Sequence, residues 1–393
     1  MKIKYRPLAA LLALCLLFTA CLGSASACNF FSYVSEDGDV VTGRTMDAMN
    51  EACIDKLTLR LMPAGMERVS NTQDPMTWTS RYNSVTAYSD TLSVDGMNEK
   101  GLVCALLFFS GANYGPLKEG KPVLGVHAVT QFMLDNFATV GEAVDFINAE
   151  KDNFTIAAGI DNPLLGEIAF GTHWALSDAT GDNCVIEYID GEPVIYRFTG
   201  ENMALTNDPP YSDHLAILQY ARQKDLKANI PGSGLAEDRF LRMHAWMDSM
   251  RKGAFEPSMD ELVQPNKTWQ LRAMARSLTD ALTTPYHMDN SGNTHNSSTL
   301  WKLVCDPQNR WLCLMHVKSF SEVILELDKL DFSRGILELN MHEGNTFLGD
   351  VTEKFVPMEK PFAFGEATIS PWNNYDPANK QEVVRQRIEK FGY

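Results

Sequence analysis

Apolar residues along this chain recur in short runs punctuated by turn-forming residues. Strands are predicted at 28–34, 40–42, 56–61, 84–94, 102–109, 168–177, 184–188, 194–198, 300–305, 311–317 and 323–327. Asp37-Gly38 and Asp190-Gly191 each stand between two such runs, the sequence signature of a hairpin turn. Helical spacing predicts helices at 126–137, 141–151, 213–223, 237–251 and 268–282. Thr139 and Glu142 form a capping box for the second, because a hydroxyl and a carboxylate at that spacing satisfy free amides reciprocally. In the fourth, Phe240, Met243, Met247 and Met250 make an apolar stripe of the kind that builds a core. A block of strands, a block of helices and a second block of strands predict an α+β protein with two antiparallel sheets sandwiched between helix layers.

The first 27 residues read differently. Lys2, Lys4 and Arg6 precede an apolar run from Leu8 to Phe18, and small residues end in Ala25-Ser26-Ala27. This is the pattern of a secretory signal peptide, with an apolar stretch too short for a permanent membrane span. Residues 1–27 are therefore expected to be removed, leaving 28–393 as one domain in the periplasm or secreted. No repeat or low-complexity linker divides that remainder.

Composition narrows the function. The leader carries three cations and no acid, so a net charge of −16 becomes −19 in the mature chain. Such a surface argues against nucleic acid and anionic lipid as partners. Two of the eight cysteines, Cys15 and Cys21, lie in the leader; Cys28, Cys53, Cys104, Cys184, Cys305 and Cys313 remain, with no CxxC spacing. Cys305 and Cys313 flank a turn at 306–309 and read either as a disulfide or as two buried strand thiols. The histidines, among them His287, His295 and His316, show no HExxH or other compact ligand spacing, so neither metal nor cofactor is expected.

Cleavage after Ala27 would leave Cys28 with a free α-amine. A thiol attacks as its thiolate, and a free thiol has a pKa of about 8.5, so a reactive cysteine needs a base or a cation nearby. An N-terminal cysteine carries a base of its own, an α-amine of pKa about 7.7 to 8.0. A two-residue turn at Asp37-Gly38 makes opposed positions add up to 75, setting Asp47 across from Cys28. By that count Arg44 faces the other way unless a bulge near Gly43 turns it inward. A cysteine after a leader is, taken singly, also compatible with a disulfide partner, a buried thiol or a lipid attachment site. Leu17-Phe18-Thr19-Ala20-Cys21 offers a weak lipobox, and a lipid-anchored periplasmic binding protein without catalysis is the alternative.

Several ordered motifs favour the enzyme. Cys28, Gly43-Arg44-Thr45-Met46-Asp47, the stretch from Asp95-Gly96-Met97-Asn98 to Leu102, Leu205-Thr206-Asn207-Asp208-Pro209 and Asp238-Arg239-Phe240 together resemble the choloylglycine hydrolase family. That family includes penicillin V acylases and conjugated bile salt hydrolases, within the N-terminal-nucleophile hydrolases. The resemblance implies a four-layer αββα sandwich, Cys28 as nucleophile, Arg44 and Asp47 beside it, Asn207 at the oxyanion and Arg239 as a second active-site arginine. It implies a small-molecule N-acyl amide substrate, whose acyl group is a bile acid, phenoxyacetyl or fatty acyl, and a homotetramer as in many relatives.

One position departs from the pattern. Where typical bile salt hydrolases have Asn and typical penicillin V acylases have Tyr, this chain has Phe108. Phenylalanine cannot hydrogen-bond, so the second oxyanion donor is expected from a backbone amide. Met62, Met66 and Phe108 are substrate-binding candidates for an acyl pocket, a role that core packing explains equally well.

Overall fold

The computed structural model describes residues 28–48, 56–162, 166–250, 267–286, 297–341 and 344–369. The leader, Cys53, His287 and His295 lie outside the described residues.

Two large sheets organise the chain. In the first, the described strands run in the order Met203–Leu205, Asn29–Val34 (β1), Val40–Ala48 (β2), Ser298–Asp306, Trp311–His316, Ser321–Glu326 and Leu348–Asp350. In the second the order is Glu192–Thr199, Asp182–Ile189, Thr172–Ser177, Val103–Phe108, Leu92–Asn98, Ser84–Ser89, Leu57–Met62, Leu337–Asn340 and Val356–Pro357. Neighbours are antiparallel except Ser321–Glu326 with Leu348–Asp350, a parallel pair at one edge. Helices α1 (Val129–Asn136) and α2 (Val140–Glu150) pack on the outside of the second sheet. Helices α4 (Ala236–Met247) and α5 (Lys267–Ala281) pack on the first sheet, with α3 (Tyr211–Gln223) against α4. The architecture is the αββα sandwich that the resemblance implied.

Strand alternation sorts the apolar residues between layers. Leu107, Ala175 and Val185 point inward and share one cluster with Phe30, Trp301 and Leu303 of the facing sheet. Their neighbours Leu106, Trp174 and Ile186 point outward and pack with Val129, Phe132 and Leu134 under α1. Both faces are therefore covered, which is why these strands read as nearly continuous apolar runs. Each Leu or Phe so buried stabilises by roughly 1.5–3 kcal/mol.

Some boundaries differ from the pattern. The run at 84–94 is a hairpin, folded at Asp90, whose φ of 56° an aspartate tolerates better than most residues. The run at 168–177 is likewise split between Gly166–Ala169 and Thr172–Ser177. At the start of α2 the Thr139 hydroxyl accepts from the Glu142 amide at 3.2 Å, while the Glu142 carboxylate accepts from the Ala138 amide at 2.8 Å, one residue earlier than expected.

The two Asp-Gly turns also differ from each other. Asp190-Gly191 is a two-residue turn closed by Ile189 and Glu192, with φ of 53° and 84°. The turn between β1 and β2 is one residue longer, as Ser35 and Asp39 bond across it (2.9 Å) and the Gly38 amide donates to the Ser35 carbonyl (3.0 Å). This is a type I turn followed by a glycine at φ 83°. Cys305 and Cys313 are buried free thiols. Cys305 pairs with Leu312 and Cys313 with Val304, so the two point to opposite faces of their hairpin and cannot bridge.

Candidate active site

The longer turn corrects the expected register. β1 and β2 pair without a break from Val34 opposite Val40 to Asn29 opposite Thr45. Continuing that count sets Met46, not Asp47, across from Cys28, and the Cys28 Sγ lies 3.6 Å from Met46 Sδ. A one-residue change of register moves every side chain to the other face. Arg44, paired with Phe30, thus shares the inter-sheet face with Cys28, and the bulge expected near Gly43 is neither present nor needed. Gly43 instead lets α5 approach, since a Cβ there would lie 2.3 Å from both the Phe31 ring and Thr279 Oγ1. The bulge falls on the neighbouring strand, between Thr299 and Trp301. It leaves Thr299 opposite Asp47 and Trp301 opposite Met46.

Cys28 is almost fully buried, at 1 % exposure, with its Sγ also 3.5 Å from the Asp47 carbonyl oxygen. Arg44 reaches between the sheets to the thioether of Met46, the same sulfur that Cys28 Sγ approaches, so its charge lies close to the thiol. Its Nε donates to Asp95 Oδ1 (2.9 Å), its Nη2 to the Leu106 carbonyl (2.7 Å) and Met46 Sδ (3.1 Å), and its Nη1 to the Thr45 and Asn29 carbonyls. Burial alone would lower its pKa, but the charges of Asp95 and Cys28 outweigh burial and raise it, so Arg44 stays a cation. Asp95 is pushed above the usual carboxylate range by burial, opposed by Arg44 and by the Trp301 indole N–H (3.1 Å).

Asp47 faces the other way, toward the helices. Burial raises its pKa to about 6, against the hydrogen bonds of Thr299 and Thr45 and the charges of Arg239 and Arg44. Arg239, on α4, is pulled down to about 10 by burial, opposed by Asp47 and Cys28. Its Nη1 donates to the Cys28 carbonyl and to Asn29 Oδ1, both at 2.6 Å, and its Nη2 donates to Asn207 Oδ1 at 3.2 Å. Asn207, just beyond Met203–Leu205, donates its Nδ2 to the Phe108 carbonyl at 2.8 Å. The structure therefore brings Cys28, Arg44, Asp47, Asn207 and Arg239 into one buried group built from the first sheet and α4, which Asp95 and the Phe108 carbonyl of the second sheet join by hydrogen bonds.

The pocket candidates divide. Phe108 ends its strand half-buried beside this group, with its ring 6.2 Å from that of Phe170. Met62 is fully buried on the outer face of the second sheet, in the cluster with Tyr88 and Phe132, and packs as core. Met66 is half-buried in a turn where its carbonyl and amide bond to Ser80. A cavity of about 450 Å³ lies elsewhere, between the far end of β1 and α3 and α4, lined by Tyr33, Tyr211, His244 and Met247 among others. Among the described residues, no group of three or more His, Cys, Asp or Glu is placed to hold a metal ion, and no helix is long and apolar enough to cross a membrane.

Four residues of the group carried no role in the sequence reading: Asn29, Asp95, Thr299 and Trp301. Asn29 and Asp95 were visible as polar residues inside apolar runs; Thr299 and Trp301 depend on a bulge that no residue pattern announced.

Comparison with known proteins adds the decisive observation. Residues 28–254 match the family described as linear amide C–N hydrolases, choloylglycine hydrolase family. The chain belongs to the choloylglycine hydrolase family. It is 30 % identical over 362 residues to the penicillin V acylase of Pectobacterium atrosepticum, covering 87 % of this chain and 94 % of that one. It is 28 % identical over 255 residues to the bile salt hydrolase/transferase of Clostridium perfringens, covering 57 % and 73 %. The penicillin V acylase from Agrobacterium tumefaciens superposes with a TM-score of 0.73 at 29 % identity, over 86 % of this chain and 99 % of that one. A conjugated bile acid hydrolase variant from Clostridium perfringens superposes at 0.61 with 19 % identity, over 81 % and 98 %, and shares the fold. This choloylglycine hydrolase family member is accordingly a hydrolase of linear amide C–N bonds acting on small molecules.

Proposed function

We propose that removal of residues 1–27 on export exposes Cys28 as an N-terminal nucleophile that cleaves small N-acyl amides in the periplasm or outside the cell. The observation that carries this reading is Arg239, whose single buried guanidinium ties the backbone of Cys28 to the side chain of Asn207. The family match beginning at residue 28 supports it as well.

The α-amine of Cys28 takes the thiol proton as sulfur attacks the acyl carbonyl carbon, whose π electrons move to oxygen. Asn207 keeps one Nδ2 hydrogen on the Phe108 carbonyl and turns the other to this oxyanion. A backbone amide supplies the second donor, because Phe108 has none. Arg44, held as a cation beside the sulfur, stabilises its negative charge during attack. Collapse of the adduct expels the amine, which takes the proton from the α-ammonium, and a thioester remains. The α-amine then deprotonates water, which attacks the thioester and releases the acid and the thiol. Similarity over 94 % of a penicillin V acylase against 73 % of a bile salt hydrolase supports penicillin V as the first substrate to try, ahead of bile conjugates and acyl homoserine lactones. A homotetramer belongs to the same reading, and light scattering measures it.

Intact mass of the exported protein should show a chain beginning at Cys28 with an unblocked amine. Cys28→Ala should fold and lose turnover on the order of 10⁵-fold or more. A diacylglycerol mass on Cys21, or turnover surviving Cys28→Ala, would overturn the proposal.

A further inference from the structure

We infer that Asp95 is a positioning residue, reaching from the second sheet to aim the Arg44 guanidinium at Cys28 while Trp301 holds Asp95 in place. The inference rests on the reading of Cys28 as nucleophile and extends it to residues with no assigned role.

Arg44 and Cys28 stand on one sheet and Asp95 on the other, at Leu92–Asn98. Asp95 is fully buried, as is Trp301. Arg44 donates through Nε to Asp95 and through Nη1 and Nη2 to three backbone carbonyls and a thioether. The carbonyls and the sulfur are neutral; the Asp95 carboxylate is the negative charge in hydrogen-bond contact with the guanidinium. A buried arginine without such a partner carries a desolvation cost of several kcal/mol and is driven to another geometry. The Nε–H also sets the plane of the whole fork, so its acceptor fixes where the two Nη groups point. Asp95 would be free to swing, but the Trp301 indole N–H holds its second oxygen. Trp301 faces inward because the bulge after Thr299 resets the strand, so backbone irregularity, acid and arginine form one chain of support ending at the sulfur.

A double-mutant cycle tests this. Asp95→Asn should lower kcat on the order of 100-fold, the size of loss that an ångström-scale misplacement produces, with KM within about threefold. In an Arg44→Lys background, where no fork remains to be aimed, the same change should cost about threefold or less. Trp301→Phe, which removes the indole N–H and keeps an aromatic ring, should lower kcat about fivefold in the wild-type background. An equal loss for Asp95→Asn in both backgrounds, or a kcat near wild type, would overturn the inference. If Asp95→Asn does not fold, an unchanged kcat in folded Trp301→Phe does so. Cys28→Ser assayed alongside separates the two readings. Retained turnover there ends the nucleophile proposal, whereas additive coupling with turnover lost in Cys28→Ser ends only the role of Asp95.

Discussion

The two Asp-Gly hairpins are chemically alike at their tips and differ in what hangs on them. At Asp190-Gly191 the loop has two residues and joins Asp182–Ile189 to the edge strand Glu192–Thr199, which is half exposed along most of its length. At Asp37-Gly38 the loop takes in Glu36 as well, and the strands it joins are buried, β2 along its whole length. That one residue decides that Arg44 shares the face of Cys28 and that Asp47 turns to Thr299 and Arg239. Register is thus a functional variable in the central hairpin and a local matter at the edge.

Changing the loop lengths tests this most severely. Deleting Glu36 leaves a two-residue turn and either rotates Arg44 away from the sulfur or unfolds β2; activity should fall below detection, and a folded deletion with wild-type kcat would refute the account. A glycine inserted between Asp190 and Gly191 should leave kcat within about twofold, since the edge strand carries no member of the site, and should cost about 1 kcal/mol in urea denaturation.

Asp47 sharpens the comparison through pH. Its folded pKa of about 6 lies above its ordinary 3.8, so the folded chain binds this proton more tightly than the unfolded chain does. Its contribution to stability is therefore greatest below about 3.8, declines as pH rises through about 6, and is gone above that. With residue 27 retained, so that no new charge enters, Asp47→Asn should remove this slope from stability-against-pH curves; an unaltered slope would show that Asp47 is not the group responsible. The smallest effect concerns the glycines themselves. Both have positive φ, but a Cβ on Gly38 meets nothing within 4 Å, whereas on Gly191 it lies 3.2 Å from the Gly115 Cα. Gly38→Ala should cost roughly 1–2 kcal/mol, and Gly191→Ala more, by denaturation midpoint; the reverse order would contradict the open and closed settings of the two turns.

Much of this molecule was legible in its residues. Alternation and helical spacing located the five helices and most strands of both sheets, because those patterns record which side of each element is covered. They missed the short strands Met203–Leu205, Leu337–Asn340, Leu348–Asp350 and Val356–Pro357. The motif stretches named Cys28, Arg44, Asp47, Asn207 and Arg239, and the structure gathers all five. Reading Ser84 to Val94 as one strand failed because an aspartate at positive φ can fold a hairpin without any glycine.

What the residues alone determined is chemical identity: a thiol at Cys28, two arginines, and acids set among apolar neighbours. What tertiary structure alone decided is who faces whom. A loop longer by Glu36 and a bulge at Leu300 set the faces of Arg44, Asp47 and Trp301. Asp95 reaches Arg44 from the opposite sheet, 51 residues along the chain. Side-chain period in a strand is two, so an offset of one residue reverses a face, and Asp-Gly accommodates either loop length; only the packing of β2 against its neighbours selects between them.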